Sequence, residues 1–153
     1  TEDPNNHFLL KNLGPEPLGN IFNGKYLFET SRKRKTPVKN FIMNSKVVVG
    51  VGNIYANEAL FKAKIRPTRQ AGKISLNQYE ALSMEIVSVL RKSINKGGTT
   101  LRDFIRSNNT PGYFKNELMV YGRAGKTCKN CPSPLKEIRL AQRSSVYCPK
   151  CQN

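Results

Sequence analysis

The chain has 153 residues, an apolar content of 38% and a formal net charge of +16 at pH 7, from 26 lysines and arginines against 10 aspartates and glutamates. This length fits one domain, or one domain with a small appendage, around a real hydrophobic core. Since no apolar run nears the roughly 20 residues that cross a bilayer, and the first residues lack the basic start and apolar middle of a signal peptide, we expect a cytoplasmic protein without a membrane partner.

The excess of positive charge indicates a polyanionic partner. A solvated surface needs both signs of charge but not so large an imbalance, and nucleic acid is the commonest polyanion. An anionic membrane surface is the alternative, but no basic amphipathic helix with an aromatic apolar face stands out. The charge therefore favours nucleic acid.

Residues 1–19 have the composition of a linker, or of the remnant of a preceding domain, and they begin without a methionine. The missing methionine suggests a processed or truncated chain. A basic run at residues 32–35 then leads into a predicted helix, with Thr36 as its N-cap and Pro37 as its first residue.

Residues 45–52 have the propensity of a β-strand that ends in Gly50-Val51-Gly52. Asn53 is predicted to cap the helix that follows. The glycines do not complete a dinucleotide-binding motif, because the position of the third glycine is Tyr55. Two interpretations remain open: the start of the helix binds a phosphate through its unpaired amides, or the glycines only form a tight turn.

The longest predicted helix runs from Ser75 to Lys96. Ser75 and Gln78 form a capping box at its start, and a glycine pair follows its end. Its apolar residues recur with the helical period, which is typical of a face packed in the core. Thr100 and Asp103 are predicted to form a second capping box.

All four cysteines lie within the last 26 positions, in two Cys-x2-Cys pairs separated by sixteen residues: Cys128, Cys131, Cys148 and Cys151. This spacing is typical of a four-thiolate zinc site. Two disulfides are the alternative, which fits poorly without a signal peptide. We expect one structural zinc ion, and we expect it to fold a segment too short to bury a core of its own. Four thiolates also fill the metal's coordination shell, which argues against a catalytic metal.

The cysteine-rich segment contains two predicted short strands, at residues 136–141 and 145–148. Residues 142–144 are predicted to form the turn, which places Arg143 at the tip of a hairpin. An arginine there either contacts a nucleic-acid phosphate or is simply solvated, and the residues alone favour contact only slightly.

Several strings, in this order, resemble the formamidopyrimidine-DNA glycosylase family and together cover nearly the whole chain. They are Leu13-Gly14-Pro15-Glu16-Pro17-Leu18, Val49-Gly50-Val51-Gly52-Asn53-Ile54-Tyr55-Ala56, Gly97-Gly98-Thr99-Thr100-Leu101, Pro111-Gly112-Tyr113-Phe114, Tyr121-Gly122-Arg123, Ala141-Gln142-Arg143 and Tyr147-Cys148-x-x-Cys151-Gln152. The related endonuclease VIII branch fits less well, because it is not expected to carry the third and fourth strings.

The resemblance implies a mostly α-helical domain with a helix–two-turns–helix motif at residues 38–61, so that residues 47–49 belong to the turns. It implies a small β-hairpin zinc finger at the carboxy terminus. The expected organisation is a linker from an amino-terminal β-rich domain at 1–19, the helical DNA-binding domain at 20–120, and the finger at 121–153.

The resemblance also assigns roles to individual residues. Lys35, Asn53 and Arg143 match the family's phosphate contacts on double-stranded DNA that contains a damaged or abasic site. The family extrudes the damaged nucleotide and holds the kinked duplex by its flanking phosphates. The loop that closes over the extruded base corresponds to Ser107, Asn108, Asn109, Thr110, Pro111, Gly112, Tyr113 and Phe114.

The family's catalytic residues have no match in this chain. They are a terminal proline followed by glutamate, and a further lysine, on the amino-terminal domain, whereas Pro4 here is internal. We therefore expect the whole protein to be a monomeric bacterial glycosylase and AP lyase for oxidised purines, and this chain alone to bind without catalysis. The alternative is a free-standing zinc-ribbon module that binds RNA or the transcription machinery.

Overall fold

The computed structural model describes residues 17, 19, 21–97 and 118–153, and the side chains of residues 93–97 lie outside that description. We number the helices and strands in chain order. They are α1 (Gly24–Ser31), α2 (Val38–Met43), α3 (Asn53–Lys62), a 3-10 turn (Ala71–Lys73), α4 (Leu76–Gly97), β1 (Lys136–Leu140) and β2 (Arg143–Tyr147). The predicted fold class, mostly α-helical with a carboxy-terminal hairpin, is confirmed.

Helix α4 is the central element of the helical part, and α1 and α3 both pack against it. Its capping box forms as predicted: the Ser75 N–H donates to Gln78 Oε1 at 3.1 Å, and the Gln78 N–H donates to Ser75 Oγ at 3.1 Å. The second capping box, at Thr100 and Asp103, lies outside the described residues.

Helix α1 was not predicted from the sequence. Asn23 caps it by accepting the Tyr26 N–H at 2.8 Å, and Leu27 is fully buried. Gly24 permits its close approach to α4, because a Cβ at Gly24 would lie only 2.4 Å from the Cα of Glu80.

Helices α2 and α3 form the expected helix–two-turns–helix, and the strand predicted at residues 45–52 is wrong. Turns replace it: the carbonyl of Asn44 accepts the N–H groups of Val47 and Val48, and Gly50 has a φ of +92°. Both valines are buried. Strand propensity reflects burial of branched side chains, which these turns achieve without a neighbouring strand.

Two predicted helix starts are shifted by one residue. Pro37, not Thr36, is the N-cap of α2, and Gly52, not Asn53, is the N-cap of α3. Neither start has a side-chain cap. Asn53 is therefore the first helical residue, and its side chain is directed to another part of the molecule.

The hairpin is antiparallel, with Lys136 opposite Tyr147 and Leu140 opposite Arg143. Its two-residue turn is Ala141–Gln142, with φ values of 51° and 66°, as in a type I′ turn. The turn predicted at residues 142–144 is therefore wrong: the turn starts one position earlier and is one residue shorter, so β2 begins at Arg143 and not at residue 145. Within the described part of the chain, no helix is long and apolar enough to cross a membrane.

Candidate nucleic-acid interface and metal centre

The backbone carbonyl of Ser144 joins the hairpin to both helices of the helix–two-turns–helix motif. It accepts hydrogen bonds from Lys39 Nζ at 3.1 Å, from Asn53 Nδ2 at 3.1 Å and from Asn57 Nδ2 at 3.3 Å. Two of these residues lie on α3 and one lies on α2. A single carbonyl next to Arg143 is therefore held by three side chains of the helical part.

Lys39 is a buried lysine, with only 1% of its surface exposed. Its amine also donates to Ser145 Oγ at 2.6 Å. Burial, and secondly the positive charge of Arg143, lower the pKa of the Lys39 amine to about 8. The hydrogen bonds to β2 compensate part of the cost of burying this charge.

Asn57 of α3 is also hydrogen-bonded to the hairpin. Its Oδ1 accepts the N–H of Val146 at 2.7 Å, while its Nδ2 donates to the carbonyls of Asn53 and Ser144. The side chain is 1% exposed. Asn57 thus binds the backbone of β2 much as a neighbouring strand would.

Asn53 and Arg143, predicted from the resemblance as phosphate contacts, lie in the same region. The amide of Asn53 is bonded to Ser144, and its Oδ1 is buried without a donor among the described residues. Arg143 begins β2 beside the turn instead of occupying the tip, and its side chain is exposed. Their proximity follows from the Ser144 contact, although their role on DNA stays a prediction.

The remaining predicted contacts lie elsewhere. Lys35 is exposed in the segment before α2, and no contact among the described residues joins it to Asn53 or Arg143. The loop predicted to close over the lesion, residues 107–114, lies outside the described residues.

The sequence did not reveal three buried polar residues that connect the helical part to the finger: Lys39, Asn57 and Glu58. The Glu58 carboxylate accepts the N–H groups of three successive residues at the base of the finger. The only signal in the sequence is a polar residue within an otherwise apolar helical stretch. That signal does not identify a partner more than 60 residues away.

The four cysteines come together as predicted. Their sulfur atoms all lie within 4.8 Å of one another, and none is in a disulfide. Three of the separations are 3.5 Å, 3.7 Å and 3.9 Å. Zinc–sulfur bonds of about 2.3 Å in a tetrahedron place the sulfurs about 3.8 Å apart, so the donor set fits zinc.

The pKa values of two of the four clustered thiols are shifted in opposite directions. A backbone hydrogen bond from Ser133 lowers the pKa of the Cys131 thiol to about 6, whereas burial and the neighbouring cysteines raise the pKa of Cys151 to about 12. Thiolates this close repel one another, and a bound metal ion would favour the deprotonated form of all four.

The carboxy-terminal residues attach the metal-site region to the loop after α3. Gln152 is fully buried: its Oε1 accepts the Cys148 N–H at 2.8 Å, and its Nε2 donates to the Ile65 carbonyl at 2.8 Å. The Arg66 guanidinium donates to the Pro149 carbonyl at 2.8 Å and stacks over Tyr147 at 5.0 Å. The finger is thus seated on the helical part by several separate contacts.

Comparisons with known proteins match both parts of the chain. A family model described as "Formamidopyrimidine-DNA glycosylase H2TH domain" matches residues 13–105, and one described as "Zinc finger found in FPG and IleRS" matches residues 125–153. The second match and the sulfur geometry together indicate a structural zinc ion held by the four cysteines. The zinc predicted from the cysteine spacing is therefore confirmed.

Similar sequences are longer than this chain. The formamidopyrimidine-DNA glycosylase of Marinobacter nauticus is 59% identical over 152 residues, which are 99% of this chain and 56% of that protein. That of a Marinomonas species is 59% identical over 153 residues, 100% of this chain and 56% of the relative. The chain spans just over half the length of the curated relatives it matches.

Similar solved structures contain DNA. The Lactococcus lactis enzyme (Fpg or MutM), non-covalently bound to DNA with an AP site, matches with a TM-score of 0.83 and 32% identity over 98% of this chain and 53% of that one. The same protein with DNA containing FAPY-dG matches with a TM-score of 0.82 and 33% identity over 97% of this chain and 54% of that one.

Proposed function

Since this chain belongs to the formamidopyrimidine-DNA glycosylase family, matching its helix–two-turns–helix and zinc-finger parts, we propose that it binds double-stranded DNA at a damaged or abasic site. The observation that carries the proposal is the Ser144 carbonyl, which brings Asn53 of α3 beside Arg143 of the finger. A net charge of +16 supports a polyanionic partner.

The chemistry of the two residues suits phosphate. An amide NH₂ carries two N–H donors, and Asn53 uses one of them on Ser144, so the second can donate to a phosphate oxygen. The start of α3 has no side-chain cap, and the first N–H groups of a helix have no partner within it. Arg143 adds a positive charge on the adjacent strand. We propose that these groups hold the sugar–phosphate backbone of one strand.

Two further assignments rest on the family resemblance. Lys35, exposed before α2, is proposed to contact a phosphate farther along the duplex. Residues 107–114 are proposed as the loop that covers an extruded base. The same resemblance supports a linker at 1–19, a DNA-binding domain at 20–120 and a finger at 121–153.

For the whole protein we propose removal of oxidised purines from DNA, followed by strand cleavage at the abasic site. It would act as a monomer in the bacterial cytoplasm, associated with the nucleoid. The catalytic groups of the family have no match in residues 1–153, so this chain contributes binding and not bond cleavage. Solvated lysines do not substitute for the missing nucleophile, because an amine with a pKa of about 10.4 is almost fully protonated at pH 7. Lys39, whose pKa is about 8, is buried and its amine is hydrogen-bonded to Ser144 and Ser145.

Binding is tested with the zinc-loaded chain and fluorescent duplexes, measured by anisotropy at several salt concentrations. We expect tighter binding to a duplex with a tetrahydrofuran abasic analogue than to the same intact duplex, since a flexible site costs less to kink. Equal or stronger binding to single-stranded or structured RNA would instead favour the zinc-ribbon alternative.

Catalysis is tested with duplexes that contain 8-oxoguanine or an abasic site. We expect no release of the oxidised base and no covalent adduct after borohydride, apart from slow nicking of abasic sites by exposed amines. Efficient base excision by this chain alone would contradict the proposal that the chain binds DNA but does not cleave bonds.

A further inference from the structure

Glu58 is a buried carboxylate that the proposed phosphate contacts do not use. Its side chain, on α3, is 1% exposed. One oxygen accepts the Met119 N–H at 2.7 Å, and the other accepts the N–H groups of Val120 and Tyr121, both at 2.9 Å. A single side chain therefore holds three successive backbone amides.

This arrangement specifically requires a carboxylate. Burying a charged group is costly unless hydrogen bonds satisfy it, and an ionised carboxylate is an acceptor at both oxygens. A glutamine of the same shape offers one acceptor oxygen and one NH₂ group. That NH₂ would face a backbone N–H, so at least one buried donor would lose its partner.

The three amides lie at the base of the zinc finger. Val120 is fully buried in the finger's own apolar cluster, which also contains the zinc ligands Cys128 and Cys148. Phe61, one turn after Glu58 on α3, enters the same cluster. Glu58 thus fixes the point where the chain enters the finger.

The same helix fixes the hairpin at its other side. Asn57, next to Glu58, binds the backbone of Val146, and Asn53 binds the Ser144 carbonyl beside Arg143. Helix α3 therefore holds the finger at its base and near its turn. If the Glu58 contact is lost, the finger is still held among the described residues by Phe61, by the hairpin contacts and by the carboxy-terminal contacts, but its base loses three hydrogen bonds.

We propose that Glu58 is a positioning residue: it sets the orientation of the zinc finger on α3 and thereby the place of Arg143 relative to Asn53. The inference rests on the proposed DNA binding. It gives Glu58 a function through Arg143, and it predicts no such link to Lys35, which is in a separate segment before α2.

Glu58→Gln removes a negative charge and also disturbs the position of Arg143. These two effects change the DNA affinity in opposite directions, so the direction of the change separates them. Removing a negative charge from a DNA-binding protein should strengthen binding, whereas misplacing Arg143 should weaken it. Glu29→Gln, at an exposed carboxylate on α1, is the matched control because it makes the same change of charge and side-chain shape.

The experiment is a pair of double-mutant cycles with the full zinc-loaded chain on the duplex with the tetrahydrofuran analogue. One cycle combines Glu58→Gln with Arg143→Ala, and the other combines it with Lys35→Ala. We expect Glu58→Gln to weaken binding about tenfold in the wild-type and Lys35→Ala backgrounds and less than about threefold in the Arg143→Ala background. Zinc content should stay at one per chain, and Glu29→Gln should not weaken binding.

An equal loss in all three backgrounds, or no loss in the wild type, would overturn the inference and leave the proposed function standing. A wild-type chain that binds no duplex would overturn both. If Glu58→Gln loses zinc or unfolds, Glu58→Asp replaces it, since it keeps the charge but withdraws the oxygens by one methylene. A weaker loss with the same dependence on Arg143 is then expected, and additivity with Arg143→Ala would contradict the inference.

Discussion

The side-chain amide of Asn53 donates a hydrogen bond to the backbone carbonyl of Ser144, at 3.1 Å. The contact links residues 91 positions apart. It fixes the orientation of the residue that is proposed to hold a phosphate. Such preorganisation reduces the ordering cost that binding otherwise has to offset.

Substitutions of Asn53 and Arg143 should affect the salt dependence of DNA binding differently. Each charged phosphate contact contributes a slope of about −0.9 to a log–log plot of affinity against salt. Arg143→Ala should therefore weaken binding and reduce the magnitude of the slope by roughly one, whereas Asn53→Ala should weaken binding with little change in slope. Anisotropy titrations at four or more salt concentrations measure both.

Lys150→Ala is the control for Arg143, since Lys150 is exposed at the other end of the finger. It should change binding much less. If Arg143→Ala leaves both affinity and slope at the wild-type values, the role assigned to Arg143 is wrong.

Removal of zinc should unfold the finger before the helical part. The finger's apolar cluster is small and includes two of the zinc ligands, so it lacks a core of its own. Structural zinc contributes on the order of 10 kcal/mol to such modules. Elemental analysis should give one zinc per chain, and after chelation the amide NMR signals of residues 121–153 should collapse while those of α1 and α4 persist.

The same chelation should remove the contribution of Arg143 to the salt slope of DNA binding. Retention of native signals throughout the tail of a metal-free sample would show that the finger folds without zinc, against this prediction.

The buried amine of Lys39 should make stability depend on pH. Its pKa falls from 10.5 in the unfolded chain to about 8 in the folded one. Between pH 8 and 10.5 the unfolded state holds a proton that the folded state has released, so the free energy of unfolding rises with pH in this window. Below pH 8 both states are protonated, and the contribution is constant.

The measurement compares the wild type with Lys39→Met by urea unfolding between pH 7 and 10, with zinc bound. Because other groups titrate equally in both proteins, the difference in the free energy of unfolding isolates Lys39. This difference, wild type minus Lys39→Met, should be constant from pH 7 to 8 and should increase above pH 8. A difference that stays level up to pH 10 would mean that Lys39 keeps an ordinary pKa.

Gly24→Ala should destabilise the helical part by about 1–3 kcal/mol, as expected for overpacking. The added Cβ would lie 2.4 Å from a backbone atom of Glu80, so α1 and α4 would have to separate. The sign is informative because alanine is otherwise the better helix former by about 1 kcal/mol. Lys25→Ala, at the next and exposed position, should leave the thermal midpoint nearly unchanged.

The zinc site was fully predictable from the sequence, because residue type and spacing identify the four ligands. Helix α4 was predictable for a similar reason, since its capping box and apolar period are both local. The turns at residues 45–52 were not predictable from propensity: Val47 and Val48 are buried whether they belong to a strand or to a turn.

The hydrogen bonds between the helical part and the finger could not be predicted from the sequence, for a different reason. Lys39 and Ser145 are 106 residues apart, and Asn57 and Val146 are 89 apart. Their pairing depends on how the finger is seated, which no local pattern encodes.

The insertion of Phe61 into the finger's apolar cluster has a consequence for protein engineering. The finger cannot be transferred as an independent unit, because one side chain of its apolar cluster comes from α3, more than 50 positions upstream. A graft of the tail alone onto another scaffold would expose an apolar face and invite aggregation. Exchanges between relatives should instead move helix and finger together, and a chimaera that joins one species' finger to another's α3 should be judged first by whether an aromatic side chain of equal size occupies this position.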